Sequence, residues 1–253
     1  MIELNNYGKF HRLSRLFGEK NGKLLVLAMD HGIPNGDARG LENIPSLIEK
    51  THTYIDAVIL NKGMIETIED QTLNKVGLIY KLNGVTSIAP NPYDLIMFTN
   101  VEEALSFDPV AVSYELYIGG EQEQRRLEEL SRVIRDANRF DLPVISHIYP
   151  NAEKKDPEII SHCIRLGWEI GSDVIKTFYF KGMKDQIKRT SKPVIIAGGE
   201  RMSSQLDVLK YVTSAMQENA RGIAIGRNLW GWGDESSELI RKVSEIVHAT
   251  TIN

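Results

Sequence analysis

The stretch Gly171-Ser172-Asp173-Val174-Ile175-Lys176-Thr177-Phe178-Tyr179-Phe180 decides how the chain is read. Its β-branched and aromatic residues predict a short strand. A nearly continuous apolar run marks a strand buried on both faces, as parallel strands of α/β folds are. One lysine sits in its second half. Side chains alternate along a strand, so Val174 and Lys176 share a face. An unpaired ammonium is costly to bury there. Desolvation lowers the pKa of a lysine and leaves a free amine, which can attack a carbonyl and form a Schiff base. For this stretch alone, the ordinary reading is a lysine whose head reaches water at the strand end. The rest of the chain reverses that order.

Working outward, apolar runs alternate with helical patterns. Strands are expected at 24–29, 57–60, 76–80, 110–114, 143–149, around Lys176, at 193–197 and at 222–225. Helices are expected at 44–52, 64–73, 101–105, 121–138, 157–170, 182–190, 203–217 and 234–247. A further helix near Phe10 to Phe17 would belong to an N-terminal extension, residues 1–22. Eight strands alternating with eight helices predict one (β/α)8 TIM barrel of α/β class, spanning 1–253 as a single domain. An open doubly wound sheet is the runner-up.

The chain has 253 residues, 42% hydrophobic and 25% charged, enough for a substantial core. Its formal charge of −4 gives no reason to expect nucleic acid or an anionic membrane as partner. A lone cysteine, Cys163, excludes an internal disulfide framework. No apolar run approaches the roughly 18 residues of a membrane span, and the N-terminus lacks a signal-peptide core. A cytoplasmic protein is therefore expected.

Chemistry in such barrels sits at the C-terminal strand ends. Asp30, Tyr149, Lys176, Gly198-Gly199 and Gly226-Arg227 all fall there. Each has a plain alternative. Asp30 suits a turn or a helix cap, Tyr149 suits packing, and the glycines suit turns. The convergence of all of them on one mouth is what argues for a site. Glycine turns before helices at strands seven and eight offer free N–H groups to a phosphate, and Arg227 adds a bidentate cation. None of the six histidines shows the i, i+4 pairing of a zinc helix. His147 shares a strand face with Tyr149, so both are expected to line the mouth beside His31. A metal site built from His31, His147 and Asp30 is the weaker reading.

These residues resemble the class I fructose-bisphosphate aldolases of the archaeal and bacterial type, the DeoC/FbaB aldolase family. The matching motifs are Leu27-Ala28-Met29-Asp30-His31-Gly32, Asn83-Gly84-Val85-Thr86-Ser87, Val101-Glu102-Glu103-Ala104-Leu105, Tyr117-Ile118-Gly119-Gly120-Glu121, Tyr149-Pro150, Asp173-Val174-Ile175-Lys176-Thr177, Ala197-Gly198-Gly199 and Gly226-Arg227-Asn228. They run in order through nearly the whole chain. The resemblance implies a Schiff-base lysine at Lys176, proton transfer at Tyr149 and an acidic helper at Asp30. It also implies phosphate ligands at Gly198, Gly199, Gly226 and Arg227, a homo-oligomer, and no cofactor or metal. The implied substrate is a phosphorylated ketose, first of all fructose 1,6-bisphosphate, in carbohydrate metabolism such as glycolysis. Related lysine-dependent synthases, transaldolases and a thiolase act on other phosphorylated keto sugars or diketones. In the thiolase the histidine at the position of His31 matters, so His31 joins the catalytic candidates. The family commonly follows Tyr-Pro with Arg-Gly, where this chain has Asn151-Ala152. The aldolases proper tend to carry tryptophan where this chain has His147. Both departures are expected at the mouth, against the distal half of the substrate. Two rivals remain: group transfer on a phosphorylated diketone with His31 as base, and a catalytically silent sugar-phosphate-binding barrel.

Overall fold

The computed structural model describes residues 7–18, 21–151 and 156–249. Residues 1–6 and 19–20 of the expected extension, and Ala152, lie outside the described residues. Among the described residues there are ten strands: β1 Leu24–Ala28, β2 Ala57–Leu60, β3 Gly77–Lys81, β4 Asn83–Gly84, β5 Ile96–Met97, β6 Ala111–Ile118, β7 Val144–Pro150, β8 Val174–Thr177, β9 Val194–Ala197 and β10 Gly222–Ile225. Eight of them close a parallel barrel in the order β1-β2-β3-β6-β7-β8-β9-β10, with β10 pairing back onto β1. The expected TIM barrel is therefore the fold. The other two strands, β4 and β5, form a small antiparallel hairpin at 83–97, where only a loop was expected.

Twelve α-helices accompany the strands among the described residues. They are α1 Tyr7–Phe17, α2 Gly32–Asn35, α3 Ile44–Thr51, α4 Lys62–Ile65, α5 Asp70–Leu73, α6 Val101–Leu105, α7 Glu123–Asn138, α8 Pro157–Glu169, α9 Lys184–Arg189, α10 Gln205–Gln217, α11 Arg227–Trp230 and α12 Ser236–Ala249. Their starts follow local chemistry. Asp156 accepts from Glu158 N with Pro157 in the first turn, Ser204 accepts from Asp207 N, and Asn43 and Asn100 cap α3 and α6. The single helix expected at 64–73 is instead two four-residue turns, α4 and α5, joined by residues 66–69.

The barrel has two apolar layers. Val26, Ala57, Ile59, Ile79, Ala111, Ile145, Val174, Ile195 and Ala224 fill its interior. The alternate residues, such as Leu25, Val58, Tyr80, Val112, Val144, Ile175 and Ile223, pack under the helices. This two-sided burial explains the continuous apolar runs of the strands. Leu13, Leu16 and Phe17 of α1 join the interior cluster, so that helix closes the floor, the N-terminal end of the strands. Two strand boundaries differ from expectation in ways that matter. The third barrel strand runs on to Lys81, and the fourth, β6, runs four residues past Tyr114 to Ile118. Both extensions deliver charged or polar side chains to the mouth. Among the described residues, no helix is long and apolar enough to cross a membrane.

Candidate active site

Alternation along the strands sends Lys81, Glu115, Tyr117, Tyr149 and Lys176 into the barrel at its C-terminal end. Register sets their level. Glu115, His147 and Lys176 stand opposite one another on β6, β7 and β8, and Tyr117 stands opposite Tyr149 one step higher. A cavity of about 460 Å³ opens over them. Its walls include Asp30, His31, Lys81, Glu115, Tyr149, Lys176, Gly198, Gly199, Gly226 and Arg227. All eight residues singled out in the sequence thus meet in one cavity. The β4–β5 hairpin and its loop supply Asn83, Val85, Ser87 and Tyr93 as an additional wall.

Lys176 is 6% exposed. Among the described residues it has no hydrogen-bond or ion-pair contact. Burial pushes its pKa down to about 8; Asp30 and Glu115 oppose that shift and Lys81 adds to it. Part of the lysine population is then free amine near neutral pH. Tyr149 stacks on Phe178 with ring centroids 4.5 Å apart. Burial, helped by the Glu115 charge and by Tyr117, raises its phenol well above its usual value of 10, so it is held protonated. Asp30 is also buried, which alone would raise its pKa. Lys81 first, with His31 and Lys176 beside it, outweighs that and holds it below the usual carboxylate range. Its Oδ1 lies 3.5 Å from His31 Nδ1. Burial lowers the His31 pKa and keeps the ring neutral. The His31 ring also meets Trp230 edge-on at 5.3 Å, and Trp230 Nε1 donates to Ala28 O at 2.9 Å.

Lys81 and Glu115 are the site residues that sequence reasoning missed. Lys81 is 3% exposed, and its Nζ donates to Glu115 Oε2 at 2.6 Å and lies 3.6 Å from Asp30 Oδ2. Tyr117 OH donates to Glu115 Oε1 at 3.0 Å. Burial would raise the Glu115 carboxyl, but Lys81 and His147 take it well below its ordinary range. The signal was present: Lys81 ends the run Leu78-Ile79-Tyr80 as Lys176 follows Val174-Ile175.

His147 departs from expectation. It points inward like Tyr149 but lies below the cavity, fully buried, and is not part of its wall. Its Nδ1 is 3.6 Å from Glu115 Oε2, and burial plus the two nearby lysines push its pKa down to about 3. Asp30, His31 and His147 do not form a cluster either. No group of three His, Cys, Asp or Glu side chains among the described residues is arranged to hold a metal ion.

At strands β9 and β10 the glycine turns take unlike forms. Gly199 has φ +67°, in the left-handed region, with open space where a Cβ would point. Gly226 has no such space: a Cβ would come within 2.3 Å of His31 Cε1 and 2.7 Å of Ala28 O. Only the second turn leads directly into a helix, the four-residue α11. After the first, a loop runs from Gly198 to the Ser204 cap of α10. Asn228 ties the two turns together. Its Nδ2 donates to Gly198 O at 3.1 Å and to Glu200 O at 2.7 Å, and its Oδ1 accepts from Met202 N at 2.8 Å. Arg227 is exposed at the rim beside them.

Comparison with known proteins agrees with this geometry. A family profile described as DeoC/LacD family aldolase matches residues 24–231. The class 1 fructose-bisphosphate aldolase of Thermoproteus tenax is 34% identical over 248 residues, covering 92% of each chain. The 2-amino-3,7-dideoxy-D-threo-hept-6-ulosonate synthase 1 of Archaeoglobus fulgidus is 32% identical over 242 residues, covering 95% of this chain and 91% of the relative. An archaeal fructose-1,6-bisphosphate aldolase, solved with its catalytic Lys covalently bound to the carbinolamine intermediate, superposes with a TM-score of 0.86 at 32% identity. That match covers 95% of this chain and 99% of the other. The resemblance seen in the motifs is thus borne out: the chain belongs to the DeoC/LacD family of aldolases, as a class I aldehyde-lyase that works through a lysine Schiff base.

Proposed function

We propose that this aldolase makes or breaks a carbon–carbon bond in a phosphorylated ketose, with Lys176 as the imine-forming residue. The observation that carries the reading is Lys176 itself: a buried amine with a pKa of about 8, without a hydrogen-bond partner among the described residues, in the wall of the cavity at the barrel mouth. Its Nζ attacks the ketone carbon, and the carbinolamine loses water to give a protonated imine. The imine draws the electrons of the neighbouring C–C bond into an enamine when that bond breaks, and the enamine attacks an aldehyde in the reverse direction. Tyr149, held protonated, donates to the alkoxide that forms during condensation. Asp30, held ionised beside Lys176, serves proton traffic as the carbinolamine dehydrates. His31, kept neutral against Asp30, is a further acid–base group at the same end of the cavity. The N–H groups at Gly198, Gly199 and Gly226, with the Arg227 guanidinium, receive the substrate phosphate. That end of the substrate does not react, so its binding energy orients the ketone against Lys176.

Fructose 1,6-bisphosphate is the first candidate, supported by the Thermoproteus relative. A second reading has equal support from the Archaeoglobus synthase, at nearly the same identity: condensation that builds an amino-dideoxy-heptulosonate. The test is borohydride reduction with a panel of ketose phosphates, followed by peptide mass mapping and by assays of cleavage and condensation. The expected result is a ketose-derived mass on Lys176, with the productive ketose choosing between the two readings. An adduct on Lys81, Lys181 or Lys184 instead would overturn the assignment.

A further inference from the structure

Two lysines and two carboxylates face one another at the barrel mouth, and they are not paired evenly. Lys81, from β3, takes both carboxylates. It donates to Glu115 Oε2 at 2.6 Å and sits 3.6 Å from Asp30 Oδ2. Glu115 is fixed from three further directions. Tyr117 OH donates to its other oxygen, and its backbone N–H and C=O are both held by the Asn83 side chain, at 2.9 and 2.7 Å. Among the described residues, Lys176, from β8, has no anion in contact. A Schiff-base lysine needs this arrangement. A neutral amine attacks a carbonyl and an ammonium does not. At low dielectric, two nearby carboxylates would otherwise hold Lys176 as its cation.

We propose that Lys81 is a positioning residue for the aldolase reaction: it occupies Asp30 and Glu115, so that more of the Lys176 population is free amine. The inference rests on the reading of Lys176 as the imine-forming lysine. The charged and titratable groups facing Lys81 are few. They are Asp30 beyond β1, Glu115 and Tyr117 on β6, His147 and the protonated Tyr149 on β7, and Lys176 on β8. His31 stands behind Asp30, and Arg227 is farther off at the rim. Strand β2 presents only the neutral Asn61 to this end of the cavity. His147 is neutral, and Tyr117, its phenol raised by burial and by Glu115, is neutral too. The balance therefore lies between two ammonium groups and two carboxylates.

Trace labelling with acetic anhydride across pH, read at the Lys176 peptide by mass spectrometry, titrates this amine without any substrate. In the wild type the midpoint should lie near 8. Lys81→Met frees both carboxylates for Lys176, so the midpoint should rise by roughly one unit or more. The acid limb of turnover should move with it. Glu115→Gln removes an anion and leaves Lys81 in place, so the midpoint should fall. Lys81→Arg should stay near the wild type. Shifts of opposite sign are not what a structural defect produces. The proposal is overturned if Lys176 titrates alike in all variants, or if Lys81→Met and Glu115→Gln move it in the same direction. Should Lys81→Met not fold, judged by circular dichroism, the sign of the Glu115→Gln shift decides alone. Failure of the wild type to trap a ketose on Lys176 would refute the assignment of the imine lysine, and the titration would still report on Lys81.

Discussion

At the floor of the barrel, Lys9 Nζ donates to Asp173 Oδ2 at 3.0 Å, to Oδ1 at 3.2 Å and to Asn138 Oδ1 at 2.5 Å. Asp173 in turn accepts from Val144 N at 2.9 Å. At the mouth, three residues on, Lys176 has no such partner among the described residues. Both lysines are almost fully buried, at 7% and 6% exposure. One is surrounded by acceptors and fastens α1 to the strands. The other is deprived of them. If Lys176 is the imine-forming lysine, burial alone does not make a lysine a nucleophile. On the proposal above, the allocation of neighbouring carboxylates does, with Lys81 taking them at the mouth.

The sharpest test of this contrast is to remove each lysine. Lys176→Met should reduce turnover and borohydride trapping to background. Its thermal midpoint should stay close to the wild type, because methionine fills the same space and no ion pair is broken. Lys9→Met should do the opposite. Specific activity of the folded protein should persist, while denaturant unfolding should show a loss of about 3–5 kcal/mol, the scale for stranding one partner of a buried ion pair. Equal stability losses in the two variants would abolish the contrast.

Tyr149→Phe comes next in size. It should leave imine formation at Lys176 intact and slow turnover by about 10²-fold, the scale of a lost acid–base group. Undiminished turnover would return Tyr149 to packing against Phe178. Arg227→Ala should weaken phosphorylated substrates by about 1.5–3 kcal/mol, the worth of a hydrogen bond to a charged group, and leave unphosphorylated ketoses little affected. Inorganic phosphate should compete with substrate in the wild type and much less in this variant. Equal harm to both substrates would place the phosphate elsewhere. The smallest effect is the pH limb itself. Trapping by borohydride should slow as pH falls through about 8, because the amine is then protonated. A limb near the ordinary lysine value of 10.5 would mean that the mouth does not desolvate Lys176.

The barrel was legible because its strands are buried on both faces, and apolar runs such as Leu24–Met29 need no alternation to be recognised. Lys176, Asp30, Tyr149 and the glycine turns were legible because polar residues at the ends of such runs stand out. The rest was hidden by boundaries. Lys81 and Glu115 were placed just past their strands, so the ammonium–carboxylate pair between β3 and β6 could not be assembled from one dimension. His147 shows the converse limit. Its strand face was read correctly, but depth along the barrel axis depends on register between β6, β7 and β8, which pairing sets and local sequence does not.

The two glycine turns of the cradle carry a last consequence, for how this site tolerates change. In a saturation library, Gly199 should accept asparagine or aspartate, which visit left-handed backbone at modest cost, since open space awaits the side chain. Gly226 should accept nothing. Even alanine would drive its methyl into the His31 ring and the Ala28 carbonyl, across the seam where the last strand meets the first. Two positions of the proposed anion cradle would then differ in mutability from near-permissive to invariant. A laboratory lineage seeking new acceptors or smaller anions would have to travel through the turn after β9 and leave the turn after β10 untouched.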